Sequence, residues 1–205
     1  MRKHRGLFIV FEGVDGCGKS TQAAKFAEWL ENIIGKKVIR TAEPFTLREL
    51  ILGKKDLSVL SELLLFLADR AEHVNKIIKP ALEAGDNVIC ERYNDSTLAY
   101  QVGGHKIEIS QVKNLIDACE FPKPDATVFL DLSPKTAFDR VQARNKSNKI
   151  KVEDRFEDEG FSLMKKVSDF YKTLPDLITI PCDDLDEDEV FQHLLIGVLG
   201  NGAYV

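Results

Sequence analysis

Residues 8–22 read FIVFEGVDGCGKSTQ, and no other stretch constrains the fold as tightly. A short apolar run leads into Gly13-Val14-Asp15-Gly16-Cys17-Gly18-Lys19-Ser20, and an amphipathic segment opens at Thr21. The eight central residues carry the spacing G-x-x-x-x-G-K-[ST], which makes a loop that wraps an anion. Glycines permit positive φ and close backbone approach. Successive N–H groups then converge at the positive end of the following helix. In such a loop Lys19 reaches the β- and γ-phosphates of a nucleotide, and the Ser20 hydroxyl can ligate Mg²⁺. A chance Gly-rich turn would lack the strand pattern before it and the helix pattern after it. Residues 13–21 therefore define a candidate triphosphate (ATP) site.

That strand–loop–helix unit needs a parallel sheet around it, and the rest of the chain supplies one. Further strands are expected at 37–41, 87–90, 126–132 and 177–181, after a first at 7–11. Helical periodicity marks 20–34, 47–52, 59–84, 110–119, 134–144, 157–174 and 186–199, with another helix beginning over 96–101. Gly35, Gly53 and Gly85 stand as helix stops, and Pro80 should disturb the last turn of the long 59–84 helix. Gly103-Gly104 reads as a turn. Residues 145–154 are polar, Lys-rich and aperiodic, which reads as a mobile loop. The expected fold is α/β, a P-loop NTPase-type doubly wound sheet of five parallel strands flanked by helices. It should be one domain over 1–205, with a mobile lid near 144–156. Ligands of such sheets lie at the C-terminal strand ends. That gathers 12–20, Glu43-Pro44, Glu91-Arg92-Tyr93 and the region after Leu132 around one crevice.

Lys and Arg number 28 against 33 Asp and Glu, a net charge of −5, so no general affinity for nucleic acid is implied. The four cysteines are far apart and form no C-x-x-C pair, which favours reduced thiols and a cytoplasmic protein over a disulfide framework. The apolar run at 7–11 is too short for a signal-peptide core, and no stretch approaches a membrane span.

Three constellations carry chemistry besides the loop. Glu91 and Arg92 follow the third strand directly. The carboxylate can hold Mg²⁺ or take a proton, and the guanidinium fork suits a phosphoryl group. Facing a phosphate loop, this reading outweighs a structural ion pair. Phe66, Asp69, Arg70 and His73 share one face of the long helix. Phe66 and Arg70 could stack on and bond a flat base, but spacing alone favours a core Phe66 and a surface Asp69–His73 pair. Arg140, Arg144 and Arg155 flank the Lys-rich loop, where they could close over a transferring phosphoryl group. Thr97, Tyr100 and Gln101 offer polar groups on one side of a helix start.

Together, FIVFEGVDGCGKSTQ (8–22), TAEP (41–44), LLFLADRAEH (64–73), ERYNDSTLAYQ (91–101), PKPDATVFLDLSP (122–134) and EDRFE (153–157) resemble thymidylate kinases, in family order. The resemblance implies phosphorylation of dTMP to dTDP by ATP. By matched position, Phe66 would stack on thymine and Arg70 would bond its edge, with Thr97 and Gln101 near the base. Tyr100 would lie by the deoxyribose, and Asp15 would approach the sugar 3′-OH. Arg48 and Arg92 would hold the dTMP phosphate, and Glu43-Pro44 would line the acceptor site. Gly16 stands where some members carry a loop arginine. The chain thus resembles the bacterial subclass, in which lid arginines, here Arg144 and Arg155, supply the charge, with Arg140 against adenine. The family also implies a homodimer packed through helices.

The chain departs from the family pattern in three places. Glu91 replaces the usual aspartate before the arginine. The segment Glu43-Pro44-Phe45-Thr46 is shortened, which bears on the alignment of Arg48. The lid is longer and carries Lys146, Lys149 and Lys151. Glu91 makes a deoxynucleoside kinase, acting on a 5′-hydroxyl with glutamate as base, the nearest alternative. A nucleotide-dependent switch is a further one, with no segment in the chain to support it.

Overall fold

All five apolar runs form strands: β1 (Phe8–Glu12), β2 (Val38–Ala42), β3 (Asn87–Glu91), β4 (Ala126–Asp131) and β5 (Leu177–Pro181). The computed structural model describes residues 5–53, 57–148 and 160–200. Every strand pair is parallel, in the order β2-β3-β1-β4-β5. The central strands are the most apolar because both their faces are covered. β1 is buried along its whole length, whereas edge strand β5 alternates.

Side-chain alternation sorts β1 between two layers. Ile9 and Phe11 join one core with Phe26 and Leu30 of α1 (Lys19–Ile34). Phe8 and Val10 join a second core on the other face, with Val74, Ile78 and Leu82. α1 buries Ala23, Phe26, Ala27 and Leu30 and ends at Gly35, whose φ of 66° lets its N–H close on Glu31. Full burial of a side chain such as Phe26 or Leu30 is worth about 1.5–3 kcal/mol. The doubly wound arrangement expected from the sequence is therefore present.

The long helical pattern is divided. α2 (Arg48–Leu52) precedes α3 (Val59–His73), a π-helical turn follows over Val74–Ile78, and α4 (Lys79–Ala84) completes the run. The disturbance lies just ahead of Pro80, which sits in the first turn of α4. Pro80 has no N–H to donate, and its ring collides with the preceding turn of a regular helix. The wider turn, in which Lys79 N–H reaches Val74 O, accommodates it.

Two expectations need correction. Gly103-Gly104 is not a turn: a short α5 (Asn94–Thr97) passes into a π-helical stretch, Leu98–Gly104, that contains both glycines. α6 (Ile109–Ala118) follows. A Cβ on Gly103 would stand 2.5 Å from Phe170 Cβ, and one on Gly104 would stand 2.7 Å from Leu163 Cδ1. The glycines let this stretch pack closely on α8 (Gly160–Tyr171). Second, residues 145–148 are not loop: α7 runs Pro134–Asn148. No glycine or proline stops it at Arg144, and Ser147 Oγ donates to Ala143 O at 2.7 Å, one turn back. The rest of the expected lid, including Lys149, Lys151 and Arg155, lies outside the described residues. α9 (Glu187–Gly200) closes the fold, with Glu187, Asp188 and Glu189 in its first turn. Among the described residues, no helix is long and apolar enough to cross a membrane.

Candidate active site

The chain runs from β1 to one side of the sheet and later crosses to β4 on the other, and a crevice opens at the C-terminal strand ends there. A cleft of about 570 Å³ occupies it. Asp15, Gly16, Gly18, Lys19, Ser20 and Thr21 line one end. Glu43, Pro44, Arg48, Phe66, Arg70, Thr97 and Gln101 line it too, as do Glu91, Arg92, Tyr100, Arg140 and Arg144. Of the other sequence candidates, Gly13, Val14 and Cys17 are not part of the lining. Val14 and Cys17 are buried in the core beneath the loop.

Gly13, Gly16 and Gly18 have φ of 141°, 87° and 96°, so the loop depends on conformations that L side chains rarely adopt. At Gly16 a side chain is also excluded sterically, because a Cβ would stand 2.4 Å from Ala137 O. An arginine at this position would have to displace α7. Lys19 is folded over the loop, its Nζ donating to Val14 O at 3.2 Å and to Asp15 Oδ1 at 3.1 Å. Burial pushes the Cys17 thiol pKa up, so it stays protonated.

Arg92 also reaches Asp15. Its Nη2 donates to Asp15 Oδ1 at 2.7 Å and to the Tyr100 hydroxyl at 3.3 Å, and its Nη1 donates to Ser96 Oγ at 3.3 Å. The guanidinium lies 5.2 Å from the Tyr100 ring centre. Burial alone would raise the Asp15 pKa, but Arg92 and Lys19 outweigh it and hold the carboxyl well below the usual range. Arg92 has φ of 69°, a left-handed conformation costing about 1–2 kcal/mol. Its N–H donates to Phe11 O at 2.9 Å, and a buried glutamate supports the turn after it. Glu12 accepts from Tyr93 N at 2.7 Å, Ser96 N at 3.1 Å and the Tyr171 hydroxyl at 2.8 Å. One carboxylate thus ties the end of β1 to the Arg92 turn and to α8.

The other end of the cleft rests on α3. The surface pair that spacing favoured for Asp69 and His73 is absent: Asp69, Arg70 and His73 are all buried. Asp69 accepts from the backbone N–H groups of Phe45, Thr46 and Leu47 at 2.5–2.7 Å, fixing the segment that leads to Arg48. His73 bridges Thr41 Oγ1, at 2.6 Å, and Glu43 Oε1, at 3.1 Å. Arg70 donates from Nε to Glu43 Oε2 at 2.8 Å, from Nη2 to Tyr93 O at 2.8 Å and from Nη1 to Asn94 Oδ1 at 3.1 Å. Burial would lower the Arg70 pKa, but Glu43 more than offsets this and holds it raised. Phe66 lines the cleft beside Arg70. Among the described residues, Thr97 Oγ1 and Gln101 Oε1 are buried without a hydrogen-bond partner, and both residues line the cleft. Such atoms in a cleft wall are acceptor and donor sites for a ligand.

Ser20 Oγ donates to Glu91 Oε2, so the two metal candidates from the sequence are neighbours. Both are hard oxygen donors of the kind Mg²⁺ uses when phosphates supply the rest of its shell. Arg140 and Arg144, both on α7, are exposed and border the cleft. Sequence reasoning assigned no role in the site to Glu12, Asn94 or Ser96, and gave Asp69 only a surface pair. Glu12 carried a signal, a charge closing an apolar strand immediately before the first loop glycine. Asp69 and Asn94 carried none, because their partners are distant in sequence, and Ser96 pairs with nearby Arg92 but is fixed by the distant Glu12.

A parallel sheet, a phosphate loop at its switch point and a cleft holding arginines opposite a pocket with unpartnered polar atoms define a nucleotide-binding phosphotransferase of the P-loop class. The family model for thymidylate kinase matches residues 11–181. A thymidylate kinase of Prochlorococcus marinus (strain AS9601) is 44% identical over 184 residues, 83% of this chain and 84% of its own. One of Solidesulfovibrio magneticus is 41% identical over 178 residues, 82% and 85% of the two chains. The crystal structure of thymidylate kinase from Ehrlichia chaffeensis superposes with a TM-score of 0.60 at 39% identity, covering 71% of this chain and 89% of that one. The chain belongs to the thymidylate kinase family.

Proposed function

We propose that the cleft transfers the γ-phosphoryl group of ATP to the 5′-phosphate of dTMP, giving dTDP and ADP. The observation that carries this reading is the two-ended cleft. The phosphate loop lines one part of it, and Phe66, Arg70, Thr97 and Gln101 line another. Arg92 lies between them.

Residues 13–21 hold the ATP phosphates, with Arg140 beside adenine. On the acceptor side, Phe66 stacks on thymine, while Arg70, Thr97 and Gln101 meet its edge. Tyr100 and Asp15 take the deoxyribose, and Glu43-Pro44 forms the wall. Arg48 and Arg92 hold the acceptor phosphate. Its second pKa is about 6, so the nucleophile is already anionic and needs no strong base. Catalysis then rests on alignment and charge neutralisation. Lys19 exchanges its present contact with Val14 O for phosphate oxygens. Arg92 carries acceptor charge, and Arg144 and Arg155 carry charge developing on the transferred group. Ser20 and Glu91, together with nucleotide phosphates, would hold Mg²⁺, which would supply charge neutralisation at the phosphates.

Free thiols at all four cysteines favour a cytoplasmic location. Exposed Leu60 and Leu64 on the outer face of α3 favour a homodimer packed through helices. No affinity for nucleic acid is expected. The test is ADP release by the Mg·ATP-loaded enzyme with dTMP or thymidine as acceptor. dTMP-dependent release is expected, with thymidine near the blank. Release with thymidine alone would replace this reading with a nucleoside kinase.

A further inference from the structure

Glu62 stands in the first turn of α3, yet it is only 2% exposed. One partner of its carboxylate is Gln101, whose Nε2 donates to Glu62 Oε1 at 2.5 Å. His105 Nε2 stands 3.4 Å from the same oxygen. Gln101 thus turns the donor end of its amide, the nitrogen, toward Glu62. The carbonyl end is then committed to the opposite direction. Gln101 Oε1 is buried and has no hydrogen-bond partner among the described residues, and the residue lines the cleft with Thr97 and Arg70.

We propose that Glu62 decides which pyrimidine the acceptor pocket takes, by holding the Gln101 amide with its oxygen, not its nitrogen, presented to the base. This rests on the proposed dTMP kinase activity. A fixed acceptor pairs with the N3–H that thymine and uracil carry. Cytosine has a lone pair at N3, so two acceptors would meet in a buried site. A site built around a buried polar group rejects a ligand that leaves it unpaired. Glu62 touches no substrate in this scheme; it is a positioning residue that acts through Gln101.

The experiment compares kcat/KM for dTMP, dUMP and dCMP in the intact enzyme with Mg·ATP. Glu62→Gln replaces the pure acceptor with an amide that can donate to or accept from Gln101, so the orientation is no longer imposed. The dTMP-to-dCMP ratio should fall on the order of 10- to 100-fold. dUMP should fall alongside dTMP, and the KM for ATP should stay unchanged. In a Gln101→Ala background, Glu62→Gln should alter the ratio by less than about 2-fold, since a residue acting through another has no further effect once it is gone. An unchanged ratio in Glu62→Gln, or an equal change in both backgrounds, overturns the proposal. Should Glu62→Gln not fold, Glu62→Asp, which withdraws the carboxylate by one methylene, is read instead. A reduced ratio with normal ATP KM supports the proposal, and the wild-type ratio overturns it. A wild-type enzyme without dTMP-dependent ADP release defeats the kinase reading itself. An active enzyme with unmoved selectivity defeats only the role of Glu62.

Discussion

Arg92 is the residue on which charge in the cleft converges. It is paired with Asp15, half-buried among polar groups, and held in a left-handed backbone conformation by the turn after β3. Replacing it with alanine should lower kcat on the order of 10²- to 10³-fold, the loss seen when one preorganised charge-stabilising donor is removed. The KM for ATP should move only a few-fold. Steady-state kinetics with dTMP and ATP varied separately check this; a raised ATP KM at unchanged kcat would remove Arg92 from the acceptor side. Asp95 gives a pH-dependent prediction. Burial, aided by Glu12 and opposed by Arg70, pushes its pKa up to about 7. An unfolded aspartate titrates near 3.9, so the folded chain binds the extra proton between roughly pH 4 and 7. Stability from this group is therefore present at low pH and lost as pH rises through 7. Asp95→Asn should stabilise the protein at pH 8 by on the order of 1–2 kcal/mol after solvent screening, with the gain fading toward pH 4. Urea unfolding at both pH values measures it, and an equal gain at each would contradict it. Lys19, Ser20 and Arg92 were legible from local pattern as residues of one crevice, and all three line the cleft. Asp69 was not, because three backbone N–H groups more than twenty residues away define its role.

Among elements, strands and the first helix were the most legible. Their boundaries are set by local apolar runs and by Gly35, and they moved by one or two residues at most. The π-helical stretch Leu98–Gly104 was not, since consecutive glycines ordinarily mark a turn and only the approach of α8 gives them another purpose. Gly103→Ala would place a methyl 2.5 Å from Phe170 Cβ. Overpacking of this kind costs about 1–3 kcal/mol. The urea midpoint should fall by the corresponding amount with an unchanged m-value. Gly200→Ala, which meets nothing within 4 Å, serves as the comparison and should not destabilise. Equal midpoints for the two variants would contradict the packing account. The same stretch carries Gln101 and Tyr100 into the cleft, so its wide turns bear on the site as well as on the fold.

At the scale of the whole molecule, the site is the product of topology. β1 lies between β3 and β4, so the loop after β1, the Glu91-Arg92 turn after β3 and α7 after β4 meet at one mouth. The pattern of strands and helices with a phosphate loop made that architecture legible. What it could not reveal was how the acceptor side is braced. The Glu43–Arg70–His73 cluster joins β2 to α3 across long sequence separations and is fully buried. Gly16 adds a constraint of the same scale: α7 passes so close that the loop has no room for an arginine side chain. The central claim is that this molecule passes phosphorus from ATP to an existing phosphate. It is tested most directly by following the label from [γ-³²P]ATP with dTMP and thymidine offered side by side. Label is expected at the β-phosphorus of dTDP and none in dTMP. Label entering dTMP from thymidine, or no acceptor-dependent transfer at all, would contradict it.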